Sequence, residues 1–156
     1  MAYLDIITLA DAKTYLRIDD TLTEDDAQIT RMIKASLSQI ERITNYIFFA
    51  RSKSYVVENC SVNVYDFPIN SLTTPTTATS VEKAVYTTYT TESNDDLKVT
   101  LNVGYTDPLD VPNDLIEVAY EMIDLMYYSP ETGKSIKSDL SELSKMVLSN
   151  YKRFFI

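Results

Sequence analysis

The chain has 156 residues, with 23 Asp and Glu against 14 Lys and Arg and a formal net charge of -9. At that length one domain over 1–156 is expected, with enough buried surface to fold without a disulfide or a metal. The acid excess argues against simple binding of duplex DNA, which draws affinity from counterions displaced by Lys and Arg.

Thr8 has the character of an N-cap, with Asp11 three residues on. Leu9, Ala12, Leu16 and Tyr15 then lie along one face of a short helix over about 8–17. Arg17 to Leu22 reads as a polar turn. Thr23 opens a long helix over about 23–47, and Glu24, Asp25 and Asp26 suit the positive end of its macrodipole. Ile29, Ile33, Leu37, Ile40, Ile43 and Ile47 recur at spacings of three and four, which predicts a buried stripe. Arg31, Lys34, Gln39 and Glu41 or Arg42 fall on the opposite face.

The period changes after Arg51. Residues 54 to 105 are rich in Val, Thr and Tyr, the composition of strands. Leu97, Val99, Leu101, Val103 and Tyr105 alternate with Lys98, Thr100, Asn102 and Gly104, as in a half-buried strand. Asn94-Asp95-Asp96 reads as a hairpin turn before it, with the partner strand in Val81 to Thr91. Tyr55 to Val57 and Val62 to Tyr65 are further strand candidates. Ser71 to Ser80 reads as a Thr-rich loop broken by Pro75.

Asp107-Pro108 and Val111-Pro112 close the β-rich insert, and Asn113 caps a helix over 113–128. Its core face is Leu115, Val118, Ala119, Met122, Ile123 and Met126, and Ser129-Pro130 ends it. A last amphipathic segment over about 138–154 carries Leu140, Leu143, Val147, Tyr151 and Phe154 on one stripe. The expected fold is α+β: a bundle of three or four helices with an antiparallel sheet or hairpin region inserted around 54–105.

Several chemistries are excluded outright. There is no histidine, which removes the commonest general base and metal ligand. Cys60 is the only cysteine, so neither an internal disulfide nor a thiolate cluster is possible; it reads as a small apolar filler. Two glycines, Gly104 and Gly133, cannot build a phosphate loop. The acids at 19–20 and 24–26 lack the calcium-loop pattern and read as solvated helix-start residues. Twelve tyrosines without a basic groove fit strands and interfaces better than base stacking. Neither enzyme activity, nor a cofactor, nor a metal is expected. The start Met1-Ala2-Tyr3-Leu4-Asp5 lacks the pattern of a signal peptide, and no apolar run approaches the ~20 residues that span a membrane.

The order of segments carries a resemblance. Ile7-Thr8-Leu9-Ala10-Asp11-Ala12-Lys13-Thr14-Tyr15-Leu16-Arg17-Ile18-Asp19 is followed by Ile40-Glu41-Arg42-Ile43-Thr44 at the end of the long helix. Asp66-Phe67-Pro68-Ile69, Val103-Gly104-Tyr105 and Val111-Pro112-Asn113-Asp114-Leu115 come later. Together, over roughly 7 to 128, they resemble the gp6-like head-tail connector proteins of tailed phages, also called adaptor or head-completion proteins. Asn45-Tyr46 stand where that family often has Gly, and the last 25 residues match loosely.

The resemblance implies a single connector domain that assembles as a ring of about twelve subunits below the portal. It implies a location at the head-tail junction of a virion built in the host bacterial cytoplasm. The portal, the tail or a tail-completion protein, and further copies of the chain would be the partners. Double-stranded DNA would pass through the lumen without specific binding. A tail-completion protein, or an acidic DNA-mimic inhibitor, are the competing readings. Within the connector reading the β-rich insert contributes subunit contacts, and Asp95 and Asp96 are candidates for acids facing the lumen. Leu140, Leu143, Val147, Tyr151, Phe154, Phe155 and Ile156 are candidates for docking on the portal or the next subunit, with burial in the subunit's own core as the other option.

Overall fold

A stripe of isoleucine and leucine along one long helix organises the molecule, here described from a computed structural model over residues 2–92, 98–128 and 139–153. The α-helices are α1 (Tyr3–Ile6), α2 (Leu9–Leu16), α3 (Asp26–Thr44), α4 (Asn113–Tyr128) and α5 (Glu142–Asn150), with a 3-10 turn at Pro108–Asp110. Thr8 caps α2 as expected: its hydroxyl accepts from the Asp11 amide while the Asp11 carboxylate returns to Thr8. The chain leaves α2 through Arg17 and α3 through Asn45, both left-handed, at φ 59° and 60°. Helix α3 starts later and ends sooner than the period suggests. Thr23 to Asp25 form a turn, and Tyr46 bridges to Phe67 as extended chain. Helix α1 was not anticipated; its four residues are too few for a period to register.

Ile29, Ile33, Leu37 and Ile40 are wholly buried and meet Leu115, Val118, Met122 and Ile123 of α4. Ala12 and Leu16 of α2, Leu140 just before α5 and Leu148 within it join this core. Among the described residues, no helix is long and apolar enough to cross a membrane.

The β-rich insert is two three-stranded antiparallel sheets. The strands are β1 (Arg51–Val56), β2 (Ser61–Val64), β3 (Ile69–Thr74), β4 (Thr79–Glu82), β5 (Thr87–Thr90) and β6 (Lys98–Val103). One sheet runs β1-β6-β3 and the other β2-β5-β4. The arms β1 and β2 join through Asn59-Cys60, both at positive φ, with Glu58 and Ser61 exchanging backbone hydrogen bonds. Two expectations are corrected. Strand β6 does not pair with the 81–91 segment: it lies between β1 and β3, where Val99, Leu101 and Val103 gain neighbours on both sides. The 81–91 segment instead pairs with β2 through β5. The stretch 71 to 80 is no loop; β3 and β4 occupy most of it, leaving 75–78 as the connection. Thr is a good strand former, and its abundance there marked strand rather than loop.

Val99, Leu101 and Val103 join Ile47, Val64 and Tyr89 in a second, smaller core. The outer faces are largely polar, with Ser54 bonded to Thr100, Asn102 to Ser71 and Thr88 to Asn63, and they also expose Lys98, Val56 and Val81.

Candidate assembly surfaces

The end of α3 and the sheets meet at a polar joint. Of the alternatives Glu41 and Arg42 for the solvated face, Arg42 is the exposed one; Glu41 is buried and accepts three bonds: from the Phe48 amide (2.6 Å), the Tyr3 hydroxyl (2.8 Å) and the Arg51 guanidinium (3.1 Å). The Arg51 guanidinium also lies over the Phe49 ring. Burial, then the bond to Glu41, pushes the Tyr3 hydroxyl above its ordinary range. Asp66, also buried, takes Lys53 and the Tyr55 hydroxyl. Burial first and the Asp66 bond second push Tyr55 strongly upward. Both carboxylates are therefore matched in charge and hydrogen bonding, as buried acids require. Glu41, Arg42, Arg51, Lys53 and Asp66 line one cavity of about 310 Å³ here.

The C-terminal segment returns to this joint. The Arg153 amide donates to the Thr44 carbonyl (3.1 Å), the Asn45 side chain donates to the Arg153 carbonyl (2.7 Å), and the Arg153 guanidinium covers the Phe67 ring. Tyr151 packs edge-on against Tyr46.

Upstream, the expected apolar stripe divides. Leu140 is buried, Val147 and Tyr151 pack against the main core, and Leu143 is 66% exposed. Leu148 takes the inward place, while Met146 joins Leu143 outside. The capping of α5 sets this rotation. Ser141 caps its first turn, and the Glu121 carboxylate of α4 accepts from the Ser141 amide (2.5 Å), the Ser141 hydroxyl and the Ser144 hydroxyl. Burial alone would raise Glu121; those bonds outweigh it and hold the carboxyl below its ordinary range. Phe154, Phe155 and Ile156 lie outside the described residues, as do Asp95 and Asp96.

At the opposite end of the bundle, the turn between α2 and α3 is held by Lys13. Its buried ammonium donates to the carbonyls of Leu22 (2.6 Å) and Asp20 (3.3 Å) and pairs with Asp26 at 2.5 Å. Arg17, Asp19, Glu24 and Asp25 ring a cavity of about 370 Å³ floored by Ile18, Leu22 and Tyr127. The Tyr127 hydroxyl donates to Asp25, closing α4 onto this end.

Lys13 and Glu41 escaped the sequence reading because charged residues on an apolar helix look like edges of the solvated face. The signal that could have found Glu41 is its own helical phase: it follows Leu37 by four, on the stripe. Among the described residues, no group of acids, Cys or His is placed to hold a metal ion.

A comparison with curated protein sequences finds no match. Among solved structures, the fold is similar to a chain in the neck of an empty gene transfer agent (GTA) particle computed with C6 symmetry. The TM-score is 0.74 at 12% identity, over 100% of this chain and 94% of that one. It is also similar to a chain of the native GTA virion (TM-score 0.72, 13% identity, 97% and 91% covered). A chain of the native GTA neck computed with C12 symmetry matches too (TM-score 0.72, 10% identity, 100% and 94% covered). At these identities the likeness is one of fold. The sequence itself matches the family of the phage gp6-like head-tail connector protein over residues 6–94, more than half its length. The chain therefore belongs to the phage gp6-like head-tail connector proteins, structural components of the virion and not enzymes.

Proposed function

We propose that copies of this chain form a ring of about twelve subunits at the head-tail junction, between portal and tail. The ring extends the DNA channel and gives the tail its platform. One observation carries the reading: a member of the connector family shares its fold, end to end, with chains of particle necks that were computed with cyclic symmetry. The whole chain acts as one connector unit, assembled with its portal in the host bacterium. DNA slides through without specific binding, and Asp95 and Asp96 are placed by this reading toward the lumen, where like charge keeps DNA from adhering. The test is electron microscopy of the protein alone and mixed with its portal. Annular particles, free or seated on the portal, are expected; a chain that remains monomeric with portal present overturns the proposal.

Within this reading, the end of the chain is the docking element. Leu140, Val147 and Tyr151 hold its base to the bundle, so the contact itself falls to Leu143, with Met146 beside it, and to Phe154-Phe155-Ile156. Removing 154–156 and changing Leu143 to Ser should leave a folded subunit that no longer joins the portal. Normal attachment by that variant removes the docking role.

A further inference from the structure

The cavities at the two ends of α3 are lined with opposite balances of charge, and we propose that they are the two halves of one contact between successive copies of this chain. The inference rests on the ring reading and names its surfaces. Helix α3 has 19 residues, so its ends lie roughly 28 Å apart at 1.5 Å per residue. At the C-terminal end, Arg42, Arg51 and Lys53 line the cavity over the joint, and Arg153 is tied to Thr44 and Asn45 beside it. The acids in that cavity, Glu41 and Asp66, are already engaged by Arg51 and Lys53. Arg42 is exposed and makes no ion pair among the described residues. At the N-terminal end the balance is reversed. Asp19, Glu24 and Asp25 line the other cavity with Arg17 as its one cation, and Asp20 adjoins it. Asp20 and Glu24 are exposed and likewise make no ion pair among the described residues.

Charge decides the occupant. Each chain carries a net charge of -9, so two copies repel unless an anionic surface of one meets a cationic surface of the other. The cluster around Arg42 is cationic within an otherwise acidic molecule, and the acids that complement it lie on a different surface of the same chain. A ring requires that arrangement: a rotational contact other than a dyad joins two unlike patches, and the next copy repeats it.

The test is sedimentation of the full chain at salt from about 50 mM to about 500 mM, where exposed charges become screened. The wild type should self-associate at low salt and dissociate as salt rises. Arg42→Glu and Glu24→Lys each put like charges into the contact and should weaken association roughly tenfold or more. Both residues are exposed, so thermal melts of these variants should match the wild type. The double variant R42E/E24K restores opposite charge and should recover association; that rescue is the decisive outcome. Unchanged association in both single variants, or no recovery in the double, overturns the inference while rings seen by microscopy keep the connector reading. A wild type that is monomeric at low salt also overturns it, and the portal mixture then tests the ring reading separately. Binding of duplex DNA that Arg42→Glu abolishes, with self-association intact, would overturn it in favour of a phosphate contact.

Discussion

In the bundle, Ile29, Ile33, Leu37 and Ile40 close on Leu115, Val118, Met122 and Ile123, with the Tyr127 hydroxyl bond to Asp25 at one end of the contact. In the sheets, six buried residues make the core, while Tyr55, Lys53 and Asp66 form a polar bridge at its edge. The first region draws its stability from side-chain volume, which responds little to pH or salt. The second relies on backbone ladders and a few matched polar groups, whose worth depends on protonation and geometry. Under the proposed ring reading, this division is useful. One part stays constant while the other, with half-buried strands and edge strands at each side of its sheets, is free to meet neighbours.

The largest expected effect is therefore in the bundle. Leu37→Ala leaves a cavity between α3 and α4 and should cost ~2–5 kcal/mol, seen as a drop in melting temperature. An unchanged melt would mean that the helices are not held as described, and the comparison would collapse.

Next comes the hinge between the two regions. Gly104 sits at φ 108°, and a Cβ there would lie 2.6 Å from the Phe49 carbonyl carbon and 2.9 Å from Ile47 Cγ2. Since the contact is with backbone, the 47–49 segment must move. Gly104→Ala should cost ~2 kcal/mol or more, combining strain at positive φ with that displacement. Amide exchange should show the loss concentrated at 45–49 and 67–69, with α3 and α4 protected.

A smaller effect separates the regions by pH. Tyr55 and Tyr105 are pushed above the ordinary value of 10.0 by burial first, with nearby Asp66 and Tyr46 adding to each. A raised pKa in the folded state means stability that is complete below the unfolded value and is lost as pH rises past it. The sheets and the joint should loosen on alkaline titration above about pH 10. Tyr55→Phe should cost ~1 kcal/mol at neutral pH through the lost bond to Asp66, and should weaken that alkaline dependence. Equal alkaline loss in the variant would exclude Tyr55 as its source.

How much of this was legible depends on what each signal encodes. The stripe of α3 and the alternation of β6 are periodic, so the sequence displays them directly. The Thr8 cap is a local motif and was equally readable. Strand partners are a property of the whole sheet, which is why β6 was assigned the nearest neighbour in sequence and takes β1 and β3 instead. Glu41 and Lys13 are buried charges whose partners, Arg51 and Phe48 for one and the 20–22 carbonyls for the other, come from outside their helices. Nothing in helical spacing announces such partners. The rotation of α5 follows from Glu121, 20 residues before Ser141. A stripe drawn through Leu140 and Leu143 carried no knowledge of that bond.

That bond gives the smallest predicted effect and the sharpest contrast. Glu121 is depressed below its ordinary value of 4.5, because the Ser144 and Ser141 bonds outweigh its burial. A depressed carboxyl contributes stability that is present above the unfolded value and lost as pH falls through the folded one. Acid should therefore loosen α5 ahead of the contact between α3 and α4, which Ile29, Ile33, Leu37 and Ile40 make with Leu115, Val118, Met122 and Ile123. Amide exchange at 144–148, followed from neutral pH downward, should accelerate below about pH 4.5 before any change in α3. Glu121→Gln keeps the shape, weakens the caps and removes the titration, so its α5 should exchange faster at neutral pH and show little further acid dependence. By contrast Lys145→Ala, which removes the exposed pair with Glu142 and the smallest of the influences on Glu121, should change stability by less than about 0.5 kcal/mol. If Lys145→Ala loosened α5 as much as Glu121→Gln, the helix would be held by its surface charges rather than by α4. Its outward face, with Leu143 and Met146, would then lack the fixed orientation that a docking surface needs.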